Sequence, residues 1–257
     1  MNKYFYLLLG TILAILLATV LFITHKPKLI TDEVPSAIVL RVGTNSEYPP
    51  FSFKDGSELK GFDIDLIYEV ANRMEATIAM TDMPFDALIP ALQLGSIDVI
   101  AAGLTRTDER ANRMFFTKPY ITGDPLLIIS SSNNPLTTLA QLTGKPVVVN
   151  EGYTADAYMS GIQGPELIRL ATPAEAILAL QSGRARAFVC AQSAIDAFLK
   201  KDTAQQIVAT AIPDSGDTYA LAISKYKPEL AQRIESILDD MHADGTIKEL
   251  KTKWNFK

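Results

Sequence analysis

Polar and aromatic side chains follow three predicted strands of this sequence, at the points where the strands end. The β-prone run 38–42 is followed by Asn45 and Tyr48, and two prolines then force the chain out of the sheet. Two later apolar runs are followed by the loops 103–107 and 150–154, which carry threonines, an asparagine and backbone N–H groups. Because ligands of α/β proteins bind at the carboxyl ends of strands, these three segments are predicted to form one binding site.

The elements that must position these residues alternate between short β-branched runs and helical stretches from Ile38 onward. This alternation predicts βαβ units and a mainly parallel sheet, the α/β class. We predict that Asp63 caps a first helix and that Thr107 caps a short later one. The predicted strands are 77–80, 98–102, 147–149, 185–190, 207–209 and 219–223, and the predicted helices include 85–94, 139–142, 193–201 and 228–243.

One helix start carries an unusually complete local signal. Thr172, Pro173 and Glu175 supply an N-cap hydroxyl, a proline at the first helical position and a glutamate two residues further on. This is a capping box, and it predicts a helix that ends at Gly183.

The composition excludes several classes of function. The chain has 257 residues, of which 48% are hydrophobic, and this is enough for one large core or two smaller ones. The net charge is −5 and no long run of one sign is present, so the sequence lacks the basic segments that are typical of nucleic-acid-binding proteins. The single cysteine, Cys190, can form no intrachain disulfide, and the two histidines do not suggest a metal site.

The N-terminal residues 1–24 contain an apolar run that is long enough to cross a bilayer of roughly 30 Å. The run ends in Val20-Leu21-Phe22-Ile23 rather than at a small-residue cleavage site, and we therefore favour an uncleaved anchor over a signal cut near residues 18–20. Lysines flank the run on both sides, so the positive-inside rule does not fix its orientation. Residues 25–37, with two prolines and several charges, are predicted to be a tether.

Five motifs, in unbroken order from about residue 38 to residue 256, resemble one protein family: the polar amino-acid-binding proteins of bacterial ABC importers, which are extracellular solute-binding proteins of family 3. The motifs are Val42-Gly-Thr-Asn-Ser-Glu-Tyr-Pro-Pro-Phe51, Gly61-Phe-Asp-Ile-Asp-Leu66, Phe85-Asp-Ala-Leu-Ile-Pro-Ala-Leu92, Gly103-Leu-Thr-Arg-Thr-Asp-Glu-Arg110, and Asp244-Gly-Thr246 followed by Lys253-Trp254.

The resemblance implies the two-lobed periplasmic-binding-protein fold of type II, in which two crossings of the chain form a hinge. Composition changes near residues 120–125 and 213–217 suggest where the crossings lie. We therefore expect lobe 1 to comprise residues 38–121 and 220–257, and lobe 2 to comprise residues 122–219.

The resemblance also implies roles for particular residues. Arg110 matches an arginine that grips the ligand α-carboxylate, and Gly103, Thr105 and Thr154 match partners of the same group. Tyr48 and Phe85 match two aromatic side chains that sandwich the ligand side chain. Asn45, Asn150 and Gln192 are expected to offer polar contacts to the ligand.

The sequence departs from the family pattern after the strand that ends at Cys190. Relatives carry an aspartate there that accepts the ligand α-ammonium, whereas this chain has Ala191 followed by Gln192. A buried ammonium without a counter-charge is costly. Either Gln192 or Glu151 takes over, or the ligand is not a standard α-amino acid.

The function that the resemblance implies is a monomeric, periplasmic binding protein, with no enzymatic activity and no cofactor. It would deliver a polar or basic amino acid, arginine first and glutamine next, to an ABC permease. The alternative is an enzyme on the same fold that is similar to cyclohexadienyl dehydratases, with Glu151 as the general acid. A sensor is less favoured, because no cytoplasmic signalling segment accompanies the apolar run.

Overall fold

The computed structural model describes residues 38–199 and 207–256. The predicted anchor (1–24) and tether (25–37) lie outside the described residues, as does the end of the predicted helix 193–201. No helix within the described ranges is long and apolar enough to cross a membrane.

The described elements follow one another in an α/β order. The strands are β1 (Ile38–Thr44), β2 (Glu47–Tyr48), β3 (Ser52–Asp55), β4 (Glu58–Lys60), β5 (Ala76–Asp82), β6 (Val99–Ile100), β7 (Phe115–Phe116), β8 (Ile121–Asp124), β9 (Leu126–Ser131), β10 (Pro146–Asn150), β11 (Glu166–Leu170), β12 (Ala187–Ala191), β13 (Ile207–Ala211), β14 (Asp217–Tyr219) and β15 (Ala222–Ile223). The helices are α1 (Phe62–Arg73), α2 (Phe85–Gln93), α3 (Asp108–Arg113), α4 (Thr154–Ser160), α5 (Pro173–Gln181), α6 (Gln192–Leu199), α7 (Pro228–Ala243) and α8 (Thr246–Lys253), with a 3-10 turn at Leu139–Leu142.

Two five-stranded sheets form the frame of the protein. The first has the order β5-β1-β6-β15-β7, and the second has the order β11-β10-β12-β9-β13. In the first sheet only β15 runs against its neighbours, and in the second only β9 does so. The prediction of mainly parallel sheets therefore holds, and the reversed strand in each sheet was not predicted.

A short antiparallel pair, β8 with β14, stands between the two sheets in the chain order. Strand β8 leads directly into β9 of the second sheet, and β14 leads into β15 of the first. The crossings expected at residues 121/122 and 219/220 fall in this pair of strands. The division of the chain into lobes at those positions stays a prediction.

Local sequence signals account for most helix boundaries. The hydroxyl of Thr107 accepts the N–H of Arg110 at the start of α3, and the predicted capping box at Thr172 is present at α5. Helix α2 follows Pro84, and the chain leaves it through Gly95 with φ of +72°. Helix α7 has the predicted bounds.

Helix α1 packs its apolar face onto the first sheet, with Leu66, Ile67 and Val70 fully buried. Its start corrects one prediction, because the N-cap is Gly61 and no side chain caps the helix. The carboxylate of Asp63 instead accepts the backbone N–H of Gly103 at 2.7 Å and the hydroxyl of Tyr120 at 2.8 Å. It thus anchors the loop after β6, a contact between residues 40 positions apart that local sequence could not show.

The Asp63 carboxyl should make stability depend on pH. Burial raises its pKa from 3.8 to about 7, and the bonds from Gly103 and Tyr120 oppose that rise. The folded state therefore retains a proton that the unfolded chain releases above pH 4. Its contribution to stability is complete below about pH 4 and is lost as the pH rises towards about 7, by up to about 1.4 kcal/mol per pH unit.

The test compares the full-length protein with Asp63→Asn, which keeps an oxygen acceptor and cannot titrate. The free energy of unfolding, from urea titrations between about pH 4 and about pH 8, should fall with pH more steeply in the wild type than in the variant. A difference between the two proteins that is constant across this range would contradict the assignment.

Candidate functional site

The loops that follow β6 and β10 meet at a cavity of about 320 Å³, whose lining includes Asp86, Pro90, Arg110, Gly152, Tyr153 and Thr154. The first three residues come from the first sheet and its helices, and the last three from the loop after β10 and the start of α4. Two of the three segments that the sequence predicts at strand ends, 103–107 and 150–154, are thus brought together, whereas Asn45 and Tyr48 are not among the residues that line this cavity.

Arg110 is the charged group at the centre of this site. Its guanidinium donates to the carbonyl of Thr105 at 2.7 Å and to the carbonyl of Gly152 at 2.8 Å, so it connects the loops of the two sheets. The residue is only 8% exposed, and it takes part in none of the ion pairs between described residues. Burial lowers its pKa. A buried cation bonded to neutral carbonyls is suited to receive an anion.

The loop that carries Thr105 has a fixed shape. Gly103 has φ of +60°, and a Cβ there would lie 2.8 Å from the ring of Tyr48 and 2.9 Å from that of Phe51. The backbone N–H of Gly103 donates a hydrogen bond to Asp63, so this donor is already used within the protein. The Thr105 hydroxyl is buried and makes no hydrogen bond of good geometry to a described residue, although it lies close enough to Asp217 to lower the pKa of that carboxyl. Its proton can be donated to a bound molecule or to Asp217.

Three aromatic rings, rather than the expected two, contact one another, and one of them, Tyr153, lines the cavity beside Arg110. Tyr153 stacks on Phe85 with ring centroids 4.0 Å apart, and it meets Tyr48 edge-on at 5.3 Å. Its ring contacts both members of the predicted sandwich, and its hydroxyl is buried without a hydrogen-bond partner among the described residues. The sequence predicts no role for this tyrosine in the loop 150–154. A large aromatic residue between Asn150 and Thr154 was the available signal.

Each of the two predicted asparagines already has part of its amide engaged. Asn150 lines a small cavity that also includes Thr154, and Asn45 lines neither that cavity nor the one beside Arg110. Asn45 donates to the carbonyl of Met83 at 3.1 Å, and Asn150 donates to the carbonyl of Leu170 at 3.2 Å. Both are buried. The bonds fix the orientation of both amides within their loops.

Two aspartates for which the sequence predicts no ligand role, Asp124 and Asp217, lie on the strand pair β8 and β14. The Thr154 hydroxyl donates to Asp217 at 2.8 Å, and Asp217 is 5% exposed on β14. Asp124 accepts the backbone N–H of Ser193 at 3.1 Å and its hydroxyl at 2.6 Å, and it also accepts the hydroxyl of Tyr219 at 2.6 Å. The sequence of the segment 213–217 predicts only a turn at the hinge and gives no indication that Asp217 contacts Thr154.

The residues expected to replace the missing aspartate lie elsewhere. Gln192 and Glu151 are both exposed, and neither is among the residues that line the cavity beside Arg110. Gln192 opens helix α6, where its backbone N–H donates to the carbonyl of Pro125. The exposure of Glu151 also removes it as the buried general acid that a dehydratase would need. The geometry therefore does not support either replacement.

Two further residues have ordinary surroundings. Cys190 is buried in β12, and burial raises the pKa of its thiol. Arg106 is exposed and forms a loose ion pair with Asp108 at 3.6 Å. Among residues 38–199 and 207–256, no group of His, Cys, Asp and Glu side chains is arranged to hold a metal ion.

Comparison with known proteins places this geometry in a family. Residues 40–257 match the family model for bacterial extracellular solute-binding proteins, family 3. The chain is 31% identical over 228 residues to a probable histidine-binding protein of Campylobacter jejuni, which covers 88% of this chain and 89% of that protein. It is 32% identical over 253 residues to the L-arginine-binding protein of Pseudomonas aeruginosa, with coverage of 94% and 95%.

Solved structures show the same fold. An ancestral arginine-binding protein bound to arginine matches with a TM-score of 0.79 and 34% identity, over 84% of this chain and 97% of that one. An ancestral arginine-binding protein bound to glutamine matches with a TM-score of 0.78 and 35% identity, over 84% of this chain and 97% of that one. An ancestral amino-acid-binding protein described as a precursor of cyclohexadienyl dehydratase matches with a TM-score of 0.77 and 32% identity, over 85% and 96% of the two chains.

These matches extend over more than four-fifths of the chain, and the fold is that of the two-lobed periplasmic binding proteins. The resemblance carried by the five sequence motifs is confirmed. The chain belongs to the bacterial extracellular solute-binding proteins of family 3.

Proposed function

We propose that this protein binds a polar or basic amino acid, arginine first and glutamine next, and delivers it to an ABC permease. The observation that carries the proposal is Arg110, a buried guanidinium that bonds carbonyl oxygens from both sheets. Relatives named for arginine and histidine binding, and solved structures that hold arginine and glutamine, support the ligand class.

The α-carboxylate of the ligand would lie against Arg110. A carboxylate is a stronger partner for a guanidinium than a carbonyl oxygen, so it would displace the carbonyl of Gly152. The hydroxyl of Thr105 supports this position, because it stands at the same loop as the carbonyl that Arg110 bonds. Thr154, at the first position of α4, would complete the carboxylate site.

The ligand side chain would extend towards Tyr48 and Phe85. Flat or cationic groups gain from stacking and cation–π contact with such rings, which favours a guanidinium. Asn45 and Asn150 would supply polar contacts, with Gln192 at the rim.

Binding would be coupled to closure of two lobes, residues 38–121 with 220–257 and residues 122–219. Arg110 and Thr105 belong to the first lobe and Thr154 to the second, so a ligand that contacts all three stabilises the closed state by its differential affinity. The strand pair β8 and β14 would serve as the hinge.

Arg110→Ala should weaken binding of the preferred amino acid by about 2 kcal/mol or more, which is about 30-fold in Kd. The reason is that the ligand carboxylate would be left in the site without its counter-charge. Calorimetric titration of the full-length protein in mild detergent measures the effect, with the standard amino acids, ornithine and prephenate as probes.

The matched control is Arg106→Ala, which removes an exposed arginine four residues away and should leave Kd within about twofold. An unchanged Kd for Arg110→Ala would refute the carboxylate assignment. If no amino acid gave a heat of binding, and prephenate gave saturable heat and was turned over, the dehydratase alternative would be favoured over a binding protein.

Tyr153→Ala should strengthen the binding of L-arginine. The ring of Tyr153 contacts both Tyr48 and Phe85, so a ligand side chain must displace it from a stack worth about 1 kcal/mol. Removing that competitor should lower Kd about fivefold, whereas Phe85→Ala should raise Kd because it removes a stacking partner of the ligand. A weaker affinity in Tyr153→Ala would mean that the ring contacts the ligand and does not compete with it.

We propose in addition that the protein is extracytoplasmic, is tethered to the inner membrane by an uncleaved segment 1–24, and acts as a monomer. The apolar sequence of that segment, without a small-residue cleavage site at its end, supports the tether. The mature protein should keep its N-terminal residues, as mass spectrometry would show, and should sediment with membranes after cell lysis. Recovery of a shortened chain in the periplasmic fraction would contradict the tether and leave the binding function untouched.

A further inference from the structure

An amino-acid ligand brings an ammonium group as well as a carboxylate, and the two are attached to the same carbon atom. An ammonium that is buried on binding needs a carboxylate partner. The site has no acid at residue 191, and the side chain of Ala191 cannot accept a hydrogen bond. Glu151 is exposed and lies outside the lining of the cavity beside Arg110.

Asp217 lies where such an acid is needed. A cavity of about 10 Å³ is lined by Asn150, Thr154, Cys190, Ala191 and Asp217, among others, so this carboxylate shares a wall with Ala191. Thr154 is common to this cavity and to the larger one that Arg110 lines. Asp217 and Arg110 thus line two cavities that share Thr154, and the charge of each shifts the pKa of the other.

The contacts of Asp217 compensate its charge only in part, because Thr154, the Thr105 hydroxyl and the Arg110 guanidinium lower its pKa by less than burial raises it. Thr154 donates to it at 2.8 Å, while the hydroxyl of Tyr219 lies 3.3 Å away. Tyr219 has a single hydroxyl proton, and its distance to Asp124 is shorter, at 2.6 Å, so that proton belongs to Asp124. Asp217 forms no ion pair with any described residue.

The second aspartate of this cluster is a weaker candidate. Asp124 already accepts donors from Ser193 and Tyr219, and it is not among the residues that line either cavity. Burial raises the pKa of Asp217, with the hydrogen bond from Thr154 opposing the rise, and an approaching ammonium would lower it again. A nearby cation would thus relieve the burial cost of this particular carboxylate.

We propose that Asp217 is the acceptor of the ligand α-ammonium, so that the acid of this subsite is supplied by strand β14 and not by the end of strand β12. The proposal rests on the amino-acid-binding function proposed above and adds to it the residue that selects for the amine. The ammonium would take the place of the Thr154 hydroxyl on Asp217 and release that hydroxyl for the ligand carboxylate.

The test uses pairs of ligands that differ only in the α-ammonium. The pairs are L-arginine with δ-guanidinovalerate and L-glutamine with glutaramate, each titrated calorimetrically against the full-length protein. The wild type should prefer the amine-bearing member of the pair that it binds by about 30-fold or more. Asp217→Asn, which keeps an oxygen acceptor for Thr154, should lose most of this preference and should bind the amine-free member within about threefold of the wild type.

Two further variants separate an ammonium site from a structural role. Asp124→Asn should keep the preference for the amine. Adding Ala191→Asp to Asp217→Asn should restore at least part of it, because the carboxylate then reaches the same space from β12. A melting temperature measured for each variant shows whether it is folded.

Other results would overturn the proposal. Equal weakening of both members of a pair by Asp217→Asn would assign the residue to structure alone, and loss of the preference in Asp124→Asn would assign the amine to that residue. A wild type that binds amine-free carboxylates but no amino acid would overturn the ammonium site while leaving the carboxylate site of Arg110 in place. A wild type that binds none of the probes would overturn the proposed function together with this inference.

Discussion

The site is organised around a buried guanidinium whose hydrogen bonds go to carbonyl oxygens, while the charge of the buried Asp217 carboxylate opposes, without a direct ion pair, the fall in the guanidinium pKa that burial causes. Arg110 is held between the carbonyl oxygens of Thr105 and Gly152, which come from loops of different sheets. Carbonyl dipoles compensate a buried guanidinium only in part, so the interaction holds the two loops together and still favours a true anion. The rest of the site depends on this imbalance, because an incoming carboxylate has to be contacted from both sides of the cleft.

The surrounding loops are rigid on the side of the first sheet. Asp63 fixes the N–H of Gly103, and the rings of Tyr48 and Phe51 leave no space for a side chain at that glycine. The backbone of residues 104–106 is also bonded to β14 and to the residue that follows it, through Arg106 with Thr218 and Leu104 with Ala220. Strand β14 therefore supports the loop that precedes Arg110 and carries Asp217 as well.

Elements with local causes could be predicted from the sequence, whereas contacts between distant segments could not. Thr107 and Thr172 cap the helices that their spacing indicated. Tyr153 contacts the rings of Tyr48 and Phe85 and lines the cavity beside Arg110, and the ligand roles that the motifs imply for these residues stay predictions. Asp63 is a residue type that often caps helices, yet its carboxylate accepts the backbone N–H of Gly103, 40 residues away in the sequence. Tyr153 and Asp217 were missed for the same reason: a tyrosine in a loop and an acid in a turn acquire their roles only when two sheets place them beside Phe85 and Thr154.

The arrangement separates recognition of the amino-acid group from recognition of the side chain. In the proposed site, the charges of Arg110 and Asp217 would be complementary to any zwitterion and would not discriminate among amino acids. Discrimination must then come from the aromatic wall, where Tyr153 already stacks on Phe85. Displacing that ring costs free energy, and a ligand side chain offsets this cost only if it stacks on Phe85 at least as well as Tyr153 does. A planar guanidinium can stack in this way, and a short aliphatic chain cannot. Competition with an internal side chain can therefore give selectivity without any specific hydrogen bond to the ligand side chain.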